Sequence, residues 1–587
     1  MATVTIQPLT PTIDFGNVPV GRTGVQPIEL NVVNGQVTID ITGLSGPFSF
    51  ITKTGLNASG SWKVWLKYSP SKATPVGQLG QAVILHVNLA VPAGSNVVGN
   101  PVTLQATPVA AEPRSVSLVL DRSGSMSQQA FGGTRLDTLK KAAPVLLNLL
   151  DDNDQVGLVQ FSTSASQLTT PLAPAGPLIQ VVPPGPFSRP WLDQPLNLLT
   201  AQGATSIGSG VQAAATQLGA SPHQITVVFT DGEENWPPSI ADVKAQGLIS
   251  GTVYAIGLGT AADLNPAPLV ALCNNTNGYM VVTGVGDSPA FEFKLEKYFL
   301  RILAGLKNYQ IIKDPSVRLL PSESWDLEFP VTGLDSEFTA IVLCASQPEL
   351  EISLVTPGGE IVPWQQVLAG VTWRVTERMA FVRVDVPSVD LNNAYEGNWR
   401  VRVARKPNRD IEARRRHVLE NEDENGRGLL VDVSVLNISA LSVELQATQS
   451  TLLPGAEVRV SALLTLASVP WPFDAAVRIA LEWPDGFVSH HDLSKSRPGV
   501  FDHSFTAAIP GTYTIQAEVD GLMDDLVAHG VSGQPFTRFA QRTVSVWVPP
   551  NGPRPVPGEE LPAGGGTDQP TGCLGFIWGW IRRLFRR

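Results

Sequence analysis

The stretch Val116-Ser-Leu-Val-Leu120, apolar except at Ser117, restricts the fold more than any other part of the chain. A short, mostly apolar run bounded by turn signals suits a strand covered on both faces, because neither face meets water. Similar segments follow at 155–161, 225–230 and 252–258, with helical patterns between them. Strands alternating with helices predict a largely parallel sheet under helices. Within one separator, 135–150, Leu136, Leu139, Ala143, Leu146, Leu147 and Leu150 recur at roughly 3.6-residue spacing, so one helix face should pack on the sheet.

Directly after the first strand comes Asp121-Arg122-Ser123-Gly124-Ser125. One carboxylate and two hydroxyls on the loop leaving a buried strand are hard oxygen donors. Magnesium prefers about six oxygens at roughly 2.0–2.1 Å and keeps several waters, so hydroxyls with few carboxylates suit it and leave positions open. Two further donors are Thr205 in Gly203-Ala-Thr-Ser-Ile-Gly-Ser-Gly210, and Asp231 in Val227-Val-Phe-Thr-Asp-Gly232. Without those two, a Ser/Gly turn after a strand would read equally well as a helix cap. Loops at strand C-terminal ends are where open α/β sheets bind ligands.

Asp121-x-Ser123-x-Ser125, Thr205 in its glycine-flanked loop and Asp231 before Gly232, in that order, resemble the metal-ion-dependent adhesion site of von Willebrand factor type A domains. The resemblance covers roughly residues 112–308 and implies a doubly wound, Rossmann-like domain. It implies direct metal contact by Ser123, Ser125 and Thr205, contact through water by Asp121 and Asp231, and completion of the shell by a partner's Asp or Glu. Mg²⁺ is the expected cation, with Mn²⁺ or Ca²⁺ as alternatives. Glu233, Glu234 and Trp236 fall at the expected rim, and Phe187 and Trp191 are further aromatic candidates there, each of the three aromatics suiting the domain's own core equally well. In relatives that switch, the last helix of the domain moves; here that helix is expected at 291–306.

The flanks read differently. Residues 1–108 carry short alternating segments separated by Gly, Pro, Asn and Ser turns, which predicts a β-sandwich. Asp14-Phe-Gly-Asn-Val-Pro-Val-Gly21, Gly46-Pro-Phe-Ser49 and Tyr68-Ser-Pro70 resemble the immunoglobulin-like modules of the Hydin class. Strand patterns return at 309–405 and again at 429–548, predicting a second and a third sandwich with a charged linker at 406–428 between them, and Gly511 with Thr512-Tyr-Thr-Ile-Gln-Ala-Glu-Val519 resembles the penultimate strand region of immunoglobulin-like domains. The expected whole is a multidomain protein, α/β plus all-β. A Pro/Gly-rich linker, 549–572, follows.

The chain ends in a basic tail, 573–587. As a helix it places Leu574, Ile577, Trp578, Ile581 and Leu584 on one face and Arg582, Arg583, Arg586 and Arg587 on the other. Fifteen residues rise only about 22 Å, too short to span a bilayer but suited to lying in its interface. Peripheral contact with an anionic membrane, docking on a protein and a disordered tail are the three readings.

Composition narrows the function. At 587 residues the chain exceeds one core. A net charge of -11 and no recurring basic face argue against nucleic acid. The cysteines, Cys273, Cys344 and Cys573, lie far apart and form no disulfide framework or CxxC metal motif. The start shows no cationic segment followed by an apolar core, so a cytoplasmic location is expected, with leaderless export open. Seven scattered histidines, no His-Glu-x-x-His and no phosphate loop argue against catalysis. His490-His491 reads as a surface pair. The expected function is a non-enzymatic, metal-dependent protein-binding scaffold. A membrane-acting effector or assembly component that works through the tail is the alternative, and a hydrolase using Glu233 as base the third reading.

Overall fold

In the computed structural model the segment around Val116 becomes the central strand of the expected sheet. Strand Ser115–Asp121 is buried at every position and runs parallel to both its neighbours, Gln155–Phe161 and Gln224–Thr230. Thr252–Gly257 and Met280–Val282 continue the parallel series. The other edge closes antiparallel with Ala165–Gln167 and Ala173–Pro174. The residues described are 3–547, apart from 8–11, 34–36, 51–55, 58–59, 72–73, 78–82, 90–95, 99–100, 131–132, 170–171, 181–186, 260–263, 275, 277, 284–292, 308, 364–367, 387–395, 408–427, 467–468, 472–473 and 523–534.

Helices cover both faces. On one lie α1 (Arg135–Leu149), α2 (Pro190–Asn197) and α6 (Lys294–Lys307), packed against Val116, Leu118 and Leu120. On the other lie α3 (Ile207–Leu218), α4 (Ile240–Ala245) and α5 (Pro266–Cys273), against Val119, Val159 and Val228. The start of α1 is fixed by Thr134 and Asp137, each side chain accepting from the other's backbone N–H, so two otherwise unpaired donors are satisfied. The last helix begins at Lys294, and the expected start at 291 lies outside the described residues.

The N-terminal module is built from two five-stranded sheets. Its core includes the clustered rings of Phe15, Phe48 and Tyr68, drawn from the three segments that carry the Hydin resemblance. Chain-wide, the protein is mixed α/β with predominantly β content.

Beyond the α/β domain the structure departs from expectation. One ten-stranded sheet runs through both later modules. Its strand Leu429–Ser439 pairs with Asp335–Cys344 and with Gln310–Lys313, so it belongs with the second module. Gln310–Lys313 in turn meets Pro535–Val546 of the third. The boundary expected at 429 is therefore displaced, because backbone hydrogen bonding crosses it without a break. Asp335–Cys344 is also buried on both faces. Phe338, Ala340, Val342 and Cys344 face the sandwich core, while Ile341 and Leu343 join the cluster under α1 and α6. The α/β domain and the second sandwich thus share one apolar interior.

The linker at 406–428 falls almost wholly outside the described residues, as do the segment 549–572 and the tail 573–587 with all its side chains. Among the described residues no helix is long and apolar enough to cross a membrane.

Candidate metal centre

Asp121 ends the central strand where the chain next pairs on one side with Gln155–Phe161 and later, on the other side, with Gln224–Thr230. A crevice opens at such a reversal of strand order. The carboxylate of Asp121 is fully buried and has two donors: the Ser123 backbone N–H at 2.7 Å to Oδ1 and the Thr230 hydroxyl at 2.6 Å to Oδ2. The hydroxyls of Ser123 and Ser125 lie 3.0 Å apart. Ser125 donates to Asp231 Oδ1 at 2.7 Å, and Arg135 donates to Asp231 Oδ2 at 3.0 Å. The first and third motif segments therefore form one hydrogen-bonded cluster.

Thr205 is brought in by backbone locks. Gly124 N–H donates to Gly203 C=O at 2.9 Å, tying the serine loop to the threonine loop. Gly203 has φ +85°, and a Cβ there would lie 2.7 Å from Thr163 Oγ1, so glycine is required twice over. Asn235 accepts from Thr205 N–H and returns a bond to its carbonyl, at 2.8 and 2.9 Å. Gly232 shows where these loops converge: a Cβ on it would sit 3.3 Å from Ser125 Oγ and 3.4 Å from Thr205 Oγ1. All five residues expected at the site meet around this point.

Electrostatically the cluster sets two carboxylates, Asp121 and Asp231, against the single guanidinium of Arg135. Burial, and then the neighbouring Asp231, push the Asp121 carboxyl up to about 7. Burial also raises Asp231, against the pull of the Ser125 hydroxyl and the Arg135 guanidinium. Two buried carboxylates beside neutral hydroxyls fit a divalent cation that prefers oxygen. Among the described residues no group of three or more His, Cys, Asp or Glu is placed to hold a metal. The donors brought together are carboxylates and hydroxyls, all hard oxygens, which suit a hard divalent cation better than a soft one.

Residues 116–234 match the family model of the von Willebrand factor type A domain. The chain carries a type A domain. Among solved structures, the von Willebrand factor type A protein from Catenulispora acidiphila is 14% identical over 74% of this chain and 73% of that one, with a TM-score of 0.28. The vWF domain of the type V pili tip protein Mfa5 from Porphyromonas gingivalis is 13% identical over 33% and 96%, at 0.22. Proximal thread matrix protein 1 of the mussel byssus, with a zinc-occupied MIDAS motif, is 18% identical over 35% and 49%, at 0.25. Scores of this size carry no function across. No curated protein shows significant similarity to the chain.

The rim of the type A domain differs in part from its sequence reading. Trp236 is 48% exposed beside Thr205, whose carbonyl accepts its backbone N–H at 3.1 Å. Glu233 is half-buried. Glu234 turns inward, accepting from Gly208 N–H at the start of α3 and from Ile240 N–H at the start of α4, so it ties two helices together. Trp191 also turns inward, donating to Ala175 C=O at 3.1 Å, and the Phe187 side chain lies outside the described residues. In the third sandwich, His490 is exposed and His491 stacks on His503 with ring centroids 4.7 Å apart.

Arg135, Thr230, Asn235 and Leu198 were not foreseen. Thr230 could have been found as a hydroxyl one residue before the strand-end Asp231. Leu198, 80% exposed, begins the loop that reaches Gln202, whose N–H donates to Arg122 C=O at 2.7 Å. Nothing in the spacing singles out Arg135, which reads as an ordinary solvent-facing residue of an amphipathic helix.

Proposed function

We propose that this protein is a non-enzymatic, metal-dependent protein-binding scaffold. In this reading Ser123, Ser125 and Thr205 hold a divalent cation directly, Mg²⁺ by donor chemistry, and Asp121 and Asp231 hold it through water. The cation supplies an open coordination position for an Asp or Glu carboxylate of a partner protein. The observation that carries the reading is the convergence of Ser125 Oγ and Thr205 Oγ1 on Gly232, inside a cluster that already contains both aspartates.

Binding is favoured over turnover because, among the described residues, the histidine of the type A domain and one of the two rim glutamates are engaged elsewhere. A hydrolytic site needs a general base within hydrogen-bond reach of the reacting group. His223 is the one histidine of the type A domain, and it pairs with Glu112 at the far end of the central strand. Glu234 is committed to two helix starts. Trp236 offers apolar contact beside Thr205.

The test is capture of host proteins on the immobilised full chain in Mg²⁺ and in chelator, with wild type and Asp121→Asn side by side. A protein retained only in Mg²⁺, and only by wild type, supports the reading; capture indifferent to both rejects it. The alternative of action through the tail rests on sequence alone, and unchanged sedimentation with anionic vesicles after deletion of 573–587 would remove it.

A further inference from the structure

The charge count of the cluster leads to one residue that the motif does not contain. Arg135 Nη1 lies 3.0 Å from Asp231 Oδ2; the arginine side chain is 10% exposed and the aspartate side chain not at all. The opposite oxygen of the same carboxylate, Oδ1, accepts from Ser125. One oxygen of Asp231 thus faces a serine of the motif and the other a guanidinium. The placement of Arg135 is built in: it is the first residue of α1, fixed by the Thr134–Asp137 cap, and its N–H donates to Gln128 C=O at 2.9 Å.

We propose that Arg135 is a charge-setting and positioning residue of this centre, which weakens its hold on the cation and strengthens the cation's attraction for a partner's carboxylate. The inference rests on the metal-binding reading above and assigns a regulator of that same site. Asp121 and Asp231 together could neutralise a divalent ion, but the guanidinium offsets one of the two. Its repulsion acts on the cation across a buried carboxylate, where water screens poorly. A loaded cluster then keeps about one net positive charge, and an incoming acid is what balances it. Removing a partner that merely orients a metal ligand commonly costs about 10–100-fold in affinity, so a gain of affinity on removal marks a charge effect instead.

The two effects have opposite signs, which separates this role from a structural one. Mg²⁺ and Mn²⁺ are titrated into the purified full chain by calorimetry. Acetate is then titrated into the Mn²⁺-loaded protein, and its displacement of bound water is read as a fall in water-proton relaxation. Arg135→Gln, which retains a hydrogen-bond donor without the charge, is expected to lower the Kd for both metals about tenfold. The same variant should raise the half-saturating acetate concentration by a similar factor. Arg135→Lys keeps the charge and should stay near wild type in both. Thermal melts verify that the variants are folded.

If Arg135 only holds the start of α1 in place, Arg135→Gln will bind metal and acetate more weakly together. That result, or no change in either, overturns the inference while wild-type metal uptake leaves the metal reading standing. A wild type that takes up neither metal overturns both.

Discussion

The two ends of the type A sheet both gather buried charge, and they treat it in opposite ways. At the foot, where strands begin and the sandwiches attach, Asp151 meets Lys307 at 2.8 Å and Arg383 at 3.2 Å, and Arg114 pairs with Asp154 at 3.7 Å. Arg22 of the first module donates to Lys307 C=O at 2.8 Å, and Tyr309 donates to Glu337 at 3.0 Å. Burial alone would push the Asp151 carboxyl up, but the Lys307 ammonium and the Arg383 guanidinium outweigh it and hold Asp151 well below the usual range. At the crest, burial and a second carboxylate push Asp121 up to about 7. The foot finds its cations within the chain, from segments far apart in sequence, and acts as an adhesive between modules. The crest is short of positive charge and fits a cation from outside.

The largest effect should come from the junction beneath the foot, where Asp335 and Arg538 join the second and third sandwiches as a pair with no exposed side-chain surface, 2.7 Å apart. Asp335→Ala strands that guanidinium and should cost about 3–5 kcal/mol, read as a lowered denaturant midpoint. A loss below about 1 kcal/mol would mean the junction does not rely on this pair.

At the foot itself, Lys307 is essentially buried and also donates to Leu149 C=O at 2.9 Å, at the end of α1. Lys307→Met should cost about 1–2 kcal/mol, since Arg383 still partners Asp151. Metal affinity should not change, and a parallel loss of affinity would show that the two ends are coupled through α1. The matching change at the crest is Ser125→Ala, which should weaken Mg²⁺ about tenfold in calorimetry and lower stability by less than about 1 kcal/mol. A stability loss without an affinity loss would make Ser125 a loop-holding residue only.

Acid should distinguish the ends more gently. Asp151 has a folded pKa below its unfolded one, so its stabilisation is present at neutral pH and is lost as the pH falls below about 4. Its side chain is 47% exposed, so solvent screens the effect and the loss is modest. The acid limb of a melting-temperature profile should flatten in Asp151→Asn; an unchanged profile would assign acid sensitivity elsewhere. Smallest of all, Trp236→Ala should weaken capture of an Mg²⁺-dependent partner while leaving Mg²⁺ uptake as it was, and unaltered capture would remove Trp236 from the contact surface.

What sequence could show follows from where the constraints act. The strands of the α/β domain were legible because burial on both faces demands unbroken apolar runs, and α1 because its apolar spacing matches the helical turn. The five oxygen-bearing residues were legible because each sits at a fixed offset from a strand end or a glycine. Sheet continuity across residue 429 was not, since a strand shared between modules has the same alternation as one that is not. Nor were the foot pairs, because Asp151, Lys307 and Arg383 meet only after folding. Glu234 looked like a free rim carboxylate because nothing local reveals that two helix starts converge on it.

Titration of Mg²⁺ into the purified full chain by calorimetry, alongside Asp121→Asn, tests the crest most directly. One-to-one uptake by wild type, weakened at least about 100-fold in a variant whose far-ultraviolet spectrum is unchanged, is the expected result. No uptake by wild type, or equal uptake by both proteins, would contradict a cation held between these loops.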